Sequence, residues 1–144
     1  MIISTEGDIS INQCFEAIRR SLQDDYRQNT LKQLPLSDLK EGLSYTKRYG
    51  KHHEHTVKVL VTAFEVPSLY AARFSSNRGI KELSYYLEAL GEHRTRITYQ
   101  YEMKAVDFFQ KVNQLIMGKL FKKSLERQSH AQLAALIQYA KQLS

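Results

Sequence analysis

The chain has 144 residues, 42% of them apolar and 25% charged, which is the balance of a soluble globular protein able to bury a core without staples. Its longest mostly apolar run, Val59 to Phe64 with Thr62 inside it, is far too short to span a bilayer, and the N-terminus has no basic or apolar secretory segment. A single cysteine, Cys14, excludes an internal disulfide framework and fits a reducing compartment, so one cytoplasmic domain over residues 1–144 is expected.

In chain order, Ile2, Ile3, Ile9 and Ile11 predict an opening strand or two short extended pieces around Gly7-Asp8. Ser10 or Asn12 can cap a helix whose Phe15, Ile18, Leu22 and Tyr26 recur at three- and four-residue spacing. Asp24-Asp25 and Asn29-Thr30 weaken its far end, Pro35 prevents its continuation, and a helical turn is possible over Leu36 to Leu39. From Leu43 to Met103 the period becomes two.

Leu43, Tyr45, Lys47 and Tyr49 alternate with polar residues up to a turn at Gly50 to His53. The next strand places Val57, Val59, Val61 and Ala63 on one face and Leu60 and Phe64 on the other. Pro67 precedes a strand through Tyr70, Ala72 and Phe74, and Ser75 to Gly79 forms the next turn. Leu83, Tyr85, Leu87 and Ala89 share a face, as do Thr95, Ile97, Tyr99, Tyr101 and Met103 of the last strand. Short turns between these strands predict an antiparallel meander.

After Lys104 the pattern is helical, with one stripe of Val106, Phe109, Val112, Ile116 and Leu120 and a second of Leu133, Leu136, Ile137 and Ala140. A helix of that length is long for a small domain, so a break or bend is expected at Gly118 or at Ser129, where Ser129-x-x-Gln132 has the form of a capping box. The fold class is therefore α+β: a curved antiparallel sheet wrapped around a long C-terminal helix, with a shorter N-terminal helix. There are no repeats, low-complexity tracts or linkers.

This order resembles the START-like (SRPBCC) helix-grip superfamily. Ile11-Asn12-Gln13-Cys14-Phe15-Glu16-Ala17-Ile18 resembles the entry to its first helix, and Glu88 to Tyr99 its penultimate hairpin. Gly42-Leu43-Ser44-Tyr45, Tyr70 to Ser76 and Tyr99-Gln100-Tyr101-Glu102 resemble more closely one small bacterial family within it, a domain of unknown function. The resemblance covers nearly the whole chain. It implies a six- or seven-stranded sheet gripping the C-terminal helix around a hydrophobic cavity. Members bind lipids, polyketides, hormones or quinones, some are cyclases or dehydratases, and some act through protein contact. The short segment after the first helix implies a smaller cavity, or a filled core.

If the sheet is concave toward the helix, Tyr45, Tyr70, Phe74, Tyr85, Tyr99 and Tyr101 are the candidate ligand-binding residues, since buried tyrosine hydroxyls need partners that a ligand can supply. The same pattern also fits plain core aromatics. No catalytic residue, metal ligand or cofactor is assigned. Glu65, Glu88 and Glu102 have no histidine at useful spacing, and Glu102 is out of phase with Tyr101. His52-His53-x-His55 lacks a further converging ligand, and Cys14 lacks a base and suits a buried helix face.

Three functions follow from this reading. The first is binding of a small hydrophobic or aromatic ligand. The second is a protein-interaction module with a filled core, meeting an acidic protein partner through Lys47, Arg48, Lys51 and Lys119 to Arg127. The third is a cyclase- or hydrolase-like enzyme, which requires an inward titratable residue. Nucleic acid is not an expected partner. The stripe around Leu115-Ile116-Leu120-Phe121 suits either a dimer contact or closure of the cavity.

Overall fold

A computed structural model describes the backbone of residues 1–52, 54–105 and 108–143, and the side chains of 1–52, 54–104 and 122–143. The chain runs β1 (Ile2–Gly7), α1 (Ile11–Thr30), a single 3-10 turn (Leu36–Asp38), β2 (Ser44–Tyr49), β3 (His55–Glu65), β4 (Leu69–Ser76), β5 (Gly79–Gly91), β6 (Arg94–Ala105) and α2 (Phe108–Gln142). The strands form one six-stranded antiparallel sheet in the order β1-β6-β5-β4-β3-β2. Strands β2 to β6 are the expected meander, and β1 returns from the start of the chain to pair with β6. No helix among the described residues is long and apolar enough to cross a membrane.

Helix α1 begins where the sequence places its cap. The Ser10 side chain accepts the Gln13 backbone N–H at 3.1 Å, satisfying one of the free donors of the first turn. Leu31 ends the helix in the left-handed region, at φ 60°, with its N–H donated to the Arg27 carbonyl. Cys14, Phe15, Ala17, Ile18 and Leu22 are buried against the sheet and α2, and Tyr26 lies half-buried beside them. From α2, Leu133, Ile137 and Ala140 complete the core. Close approach of α2 to β1 needs Gly7, where an added Cβ would come within 3.0 Å of Ile137 Cδ1.

Two expectations are corrected. Phe64 does not face away from Val57, Val59 and Val61. A register shift between Val61 and Ala63 inserts an extra residue into β3, which reverses the side-chain phase and turns Phe64 inward. Phe64 then meets Phe15 of α1 edge-on, with ring centroids 5.2 Å apart. The helix also does not break at Gly118 or Ser129. Helix α2 is continuous for 35 residues, about 50 Å by the standard rise. Ser129 is buried in mid-helix. A lone serine or glycine there costs at most about 1 kcal/mol, and neither blocks the hydrogen-bond ladder as proline would. The stripe from Val106 to Leu120, and the patch around Leu115 and Phe121, lie outside the described side chains.

The other face of the sheet mixes ion-paired side chains with exposed Ile2, Ile80, Tyr86 and Leu90. Arg94 and Arg96 reach Glu6 of β1 at 3.0 and 3.3 Å, and Arg96 also reaches Glu88 of β5 at 3.2 Å. Arg94 and Arg96 hold the Glu6 carboxyl below the usual carboxylate range, chiefly through the Arg94 hydrogen bond. Glu102 is exposed on this face, as its phase predicts.

Candidate functional site

The concave side is built as rows of paired residues across the strands. One row runs Phe64 (β3), Tyr70 (β4), Tyr85 (β5) and Tyr99 (β6), each directly opposite the next. Successive ring centroids lie 6.3, 6.1 and 5.0 Å apart. Two rows along, beyond the row of Val61, Ala72, Leu83 and Tyr101, Tyr45 of β2 pairs with Val59, and Val59 with Phe74. The bulge in β3 is what admits Phe64 to the aromatic row.

Between this sheet, α1 and the second half of α2 lies a cavity of about 500 Å³. The sheet contributes Tyr45, Lys47, Tyr70, Phe74, Leu83 and Tyr85. Helix α1 contributes Ile18, Ser21, Leu22 and Asp25, one helical face; α2 contributes Gln132, Ala135, Leu136 and Tyr139, another. Of the six candidate binding residues, Tyr45, Tyr70, Phe74 and Tyr85 therefore meet around one space. Tyr99 and Tyr101 do not line it. Tyr99 packs behind Tyr85, and the Tyr101 hydroxyl sits 4.0 Å from the Met103 sulfur.

One end of the cavity is polar. The Tyr45 hydroxyl donates to Asp25 Oδ2 at 2.5 Å, and Lys47 Nζ lies 2.9 Å from Asp25 Oδ1. Tyr45 also meets Tyr26 edge-on at 5.3 Å, which fixes its ring against α1. At the opposite wall the Gln132 side-chain amide donates to the Tyr85 hydroxyl. Burial is the main cause that raises the Tyr45, Tyr70 and Tyr85 hydroxyls above an ordinary phenol; the Asp25 carboxylate raises Tyr45 further. These tyrosines are thus neutral hydrogen-bonding groups rather than phenolate nucleophiles.

Sequence reasoning missed Asp25, Lys47, Gln132 and Tyr139. Asp25 was legible in part: it falls seven residues after Ile18 and three after Leu22, so it shares their face. Lys47 alternates with Tyr45 and so points the same way, into the cavity wall rather than outward as a hairpin-tip charge. Arg48, Lys51, Lys122, Lys123 and Arg127 are exposed, and the side chain of Lys119 lies outside the described ones. Of the residues weighed for other chemistry, Glu65 and Glu88 are exposed, Cys14 is fully buried, and His53 lies outside the described residues. Among the described residues no group of three or more acidic, histidine or cysteine side chains converges as a metal site.

Comparison with known proteins gives a family and a fold. The family model described as "Domain of unknown function (DUF3284)" matches residues 1–122. No curated protein sequence matches. Among solved structures, the chain is similar to norcoclaurine synthase from Thalictrum flavum, solved in complex with dopamine and hydroxybenzaldehyde. That similarity has 14% identity and a TM-score of 0.60, over 99% of this chain and 84% of that one. It is similar to Ara h 8.0201 at 9% identity and a TM-score of 0.61, over 99% and 97%. Against CalU16 from Micromonospora echinospora it spans 58% of that chain's length and 72% of its own, at 17% identity and a TM-score of 0.48. At these identities the likeness is one of fold, and the fold is the helix-grip sheet around a long C-terminal helix.

Proposed function

The chain belongs to the DUF3284 family, and we propose that it binds a small, mostly apolar or aromatic compound in the cavity between the sheet, α1 and α2. The observation that carries this reading is the cavity itself. A volume of about 500 Å³ walled by aromatic and aliphatic side chains, with polar atoms grouped at Asp25, Tyr45, Lys47 and Gln132, has the size and make-up of a ligand pocket. A filled-core, surface-acting module leaves such a space without purpose, and Lys47, one of its proposed contact residues, is engaged by Asp25. Norcoclaurine synthase shares the fold and was solved with two small aromatic compounds, which makes this use of the architecture reasonable.

The test is the intact mass of the gently purified protein under native conditions. An added mass that disappears on denaturation supports binding and identifies the ligand's class. A clean apo mass, together with no uptake of small aromatic probes, would overturn it.

One observation favours a second reading, in which the bound compound is also transformed. Asp25 and Lys47 are ionisable groups on the cavity wall, the minimum that acid–base chemistry requires. Incubation of an identified ligand with the protein separates the two readings. Recovery of the ligand unchanged supports binding alone, and recovery of a product that Asp25→Asn protein does not form supports catalysis.

A further inference from the structure

We infer that the cavity selects an uncharged ring compound bearing a hydroxyl, and discriminates against the carboxylate and amine counterparts of the same ring. The inference rests on the binding reading above and deepens it.

Charge is the first consideration. Among the described residues lining the cavity only Asp25 and Lys47 carry charge at neutral pH, and they neutralise each other across 2.9 Å. The Asp25 carboxylate is already occupied. Its Oδ2 accepts from Tyr45, and its Oδ1 faces Lys47 and, at 3.4 Å, the Asn29 amide. A charged ligand would enter a largely apolar space with no free counter-ion, and an unpaired buried charge is expensive. A neutral ligand meets no such cost.

Hydrogen-bond direction is the second. The proton of Tyr45 is committed to Asp25, so toward the cavity its oxygen can only accept. The Tyr85 oxygen accepts from Gln132, which leaves the Tyr85 proton without an acceptor among the described residues. Tyr70, only 8% exposed, has no hydrogen-bond partner among the described residues, and its ring lies 6.1 Å from that of Tyr85. Between them, these three tyrosines offer two unengaged hydroxyl protons and, at Tyr45, an oxygen that can only accept. A hydroxyl, which donates and accepts through one atom, can answer both kinds of partner. A ketone or carboxylate uses only the donors, and an ammonium only the acceptors. The surrounding rings of Tyr70, Phe74 and Tyr85 suit a flat apolar body.

Four probes on one ring system test this by fluorescence titration of the full chain at pH 7: naphthalene, 2-naphthol, 2-naphthoate and 2-(aminomethyl)naphthalene. Naphthalene is expected to bind, and 2-naphthol about tenfold more tightly or better, from two hydrogen bonds. The charged probes should bind more weakly than 2-naphthol by about tenfold or more. Tyr70→Phe and Tyr85→Phe should each cut the naphthol-over-naphthalene preference about fivefold. Naphthalene binding as tightly as 2-naphthol, 2-naphthoate binding as tightly as 2-naphthol, or a preference that survives both substitutions would overturn the inference and leave the cavity reading standing. Failure of all four probes to bind would overturn both.

Discussion

The Tyr45 hydroxyl and the Asp25 carboxylate meet at 2.5 Å, joining β2 to α1 across a separation of twenty residues. Tyr45 is 8% exposed, so its hydroxyl is largely removed from water and depends on this partner. The contact fixes the helix against the edge strand at the mouth of the cavity.

Tyr45→Phe is expected to lower stability by about 1 kcal/mol, and Asp25→Ala by a similar or larger amount because Lys47 also loses its partner. In a double-mutant cycle measured by urea denaturation, the two changes should fall short of additivity by about 1 kcal/mol. Strict additivity would show that the hydrogen bond does not contribute in solution.

Alkaline stability follows from the tyrosines as a group. Burial leads the causes that raise Tyr45, Tyr70, Tyr85, Tyr99 and Tyr101 in the folded protein. Unfolded tyrosines lose their protons near pH 10, while the folded ones keep them. Above about pH 10 the unfolded state therefore binds fewer protons and stability falls as pH rises; below it this contribution is fully present. The urea midpoint should decline between pH 10 and 11, with the tyrosinate absorbance of these five residues appearing together with unfolding. A flat midpoint over that range would contradict the assignment.

Cys14 is fully buried, and burial pushes its thiol up to about 12. The thiolate is the reactive form, so the native protein at pH 8 should resist a thiol reagent that modifies it at once in denaturant. Rapid native labelling would mean that α1 opens locally, because nothing short of that exposes the sulfur.

Ser10→Ala removes the side-chain acceptor of the Gln13 N–H at the start of α1. A loss of about 1 kcal/mol is expected, read as a shift in urea midpoint at constant slope. Ser10→Asp, which keeps an acceptor and adds charge favourable to the helix N-terminus, should restore it. Equal loss in both variants would assign the effect to packing rather than capping.

Local patterns were readable because they depend on neighbours a few residues away. The three- and four-residue spacing of Phe15, Ile18 and Leu22 gave α1, and the strict alternation from Arg94 to Met103 gave β6 with its faces assigned. Phe64 was misplaced because a bulge changes the period at one residue, and nothing in the composition of Val59 to Phe64 marks where the extra residue sits. Ser129 carried a cap signature that the continuing helix overrode, since a capping sequence can act only where the ladder stops.

The cavity divides in the same way. Tyr45, Tyr70, Phe74 and Tyr85 were picked out by alternation, because in a strand the face of a side chain is set by position alone. What they face was not. Asp25 and Lys47 read as a helix-end acid and a surface base, and only the approach of α1 to β2 makes them a neutral pair on a cavity wall. The sequence by itself determined the elements, their order and, outside the β3 bulge, the inward faces, through periodicities that need no knowledge of the rest of the chain. The tertiary structure alone decided which hydroxyls keep free protons, which charges cancel and how much space is left. Those depend on distances between α1, α2 and the sheet, set by packing between residues far apart in sequence.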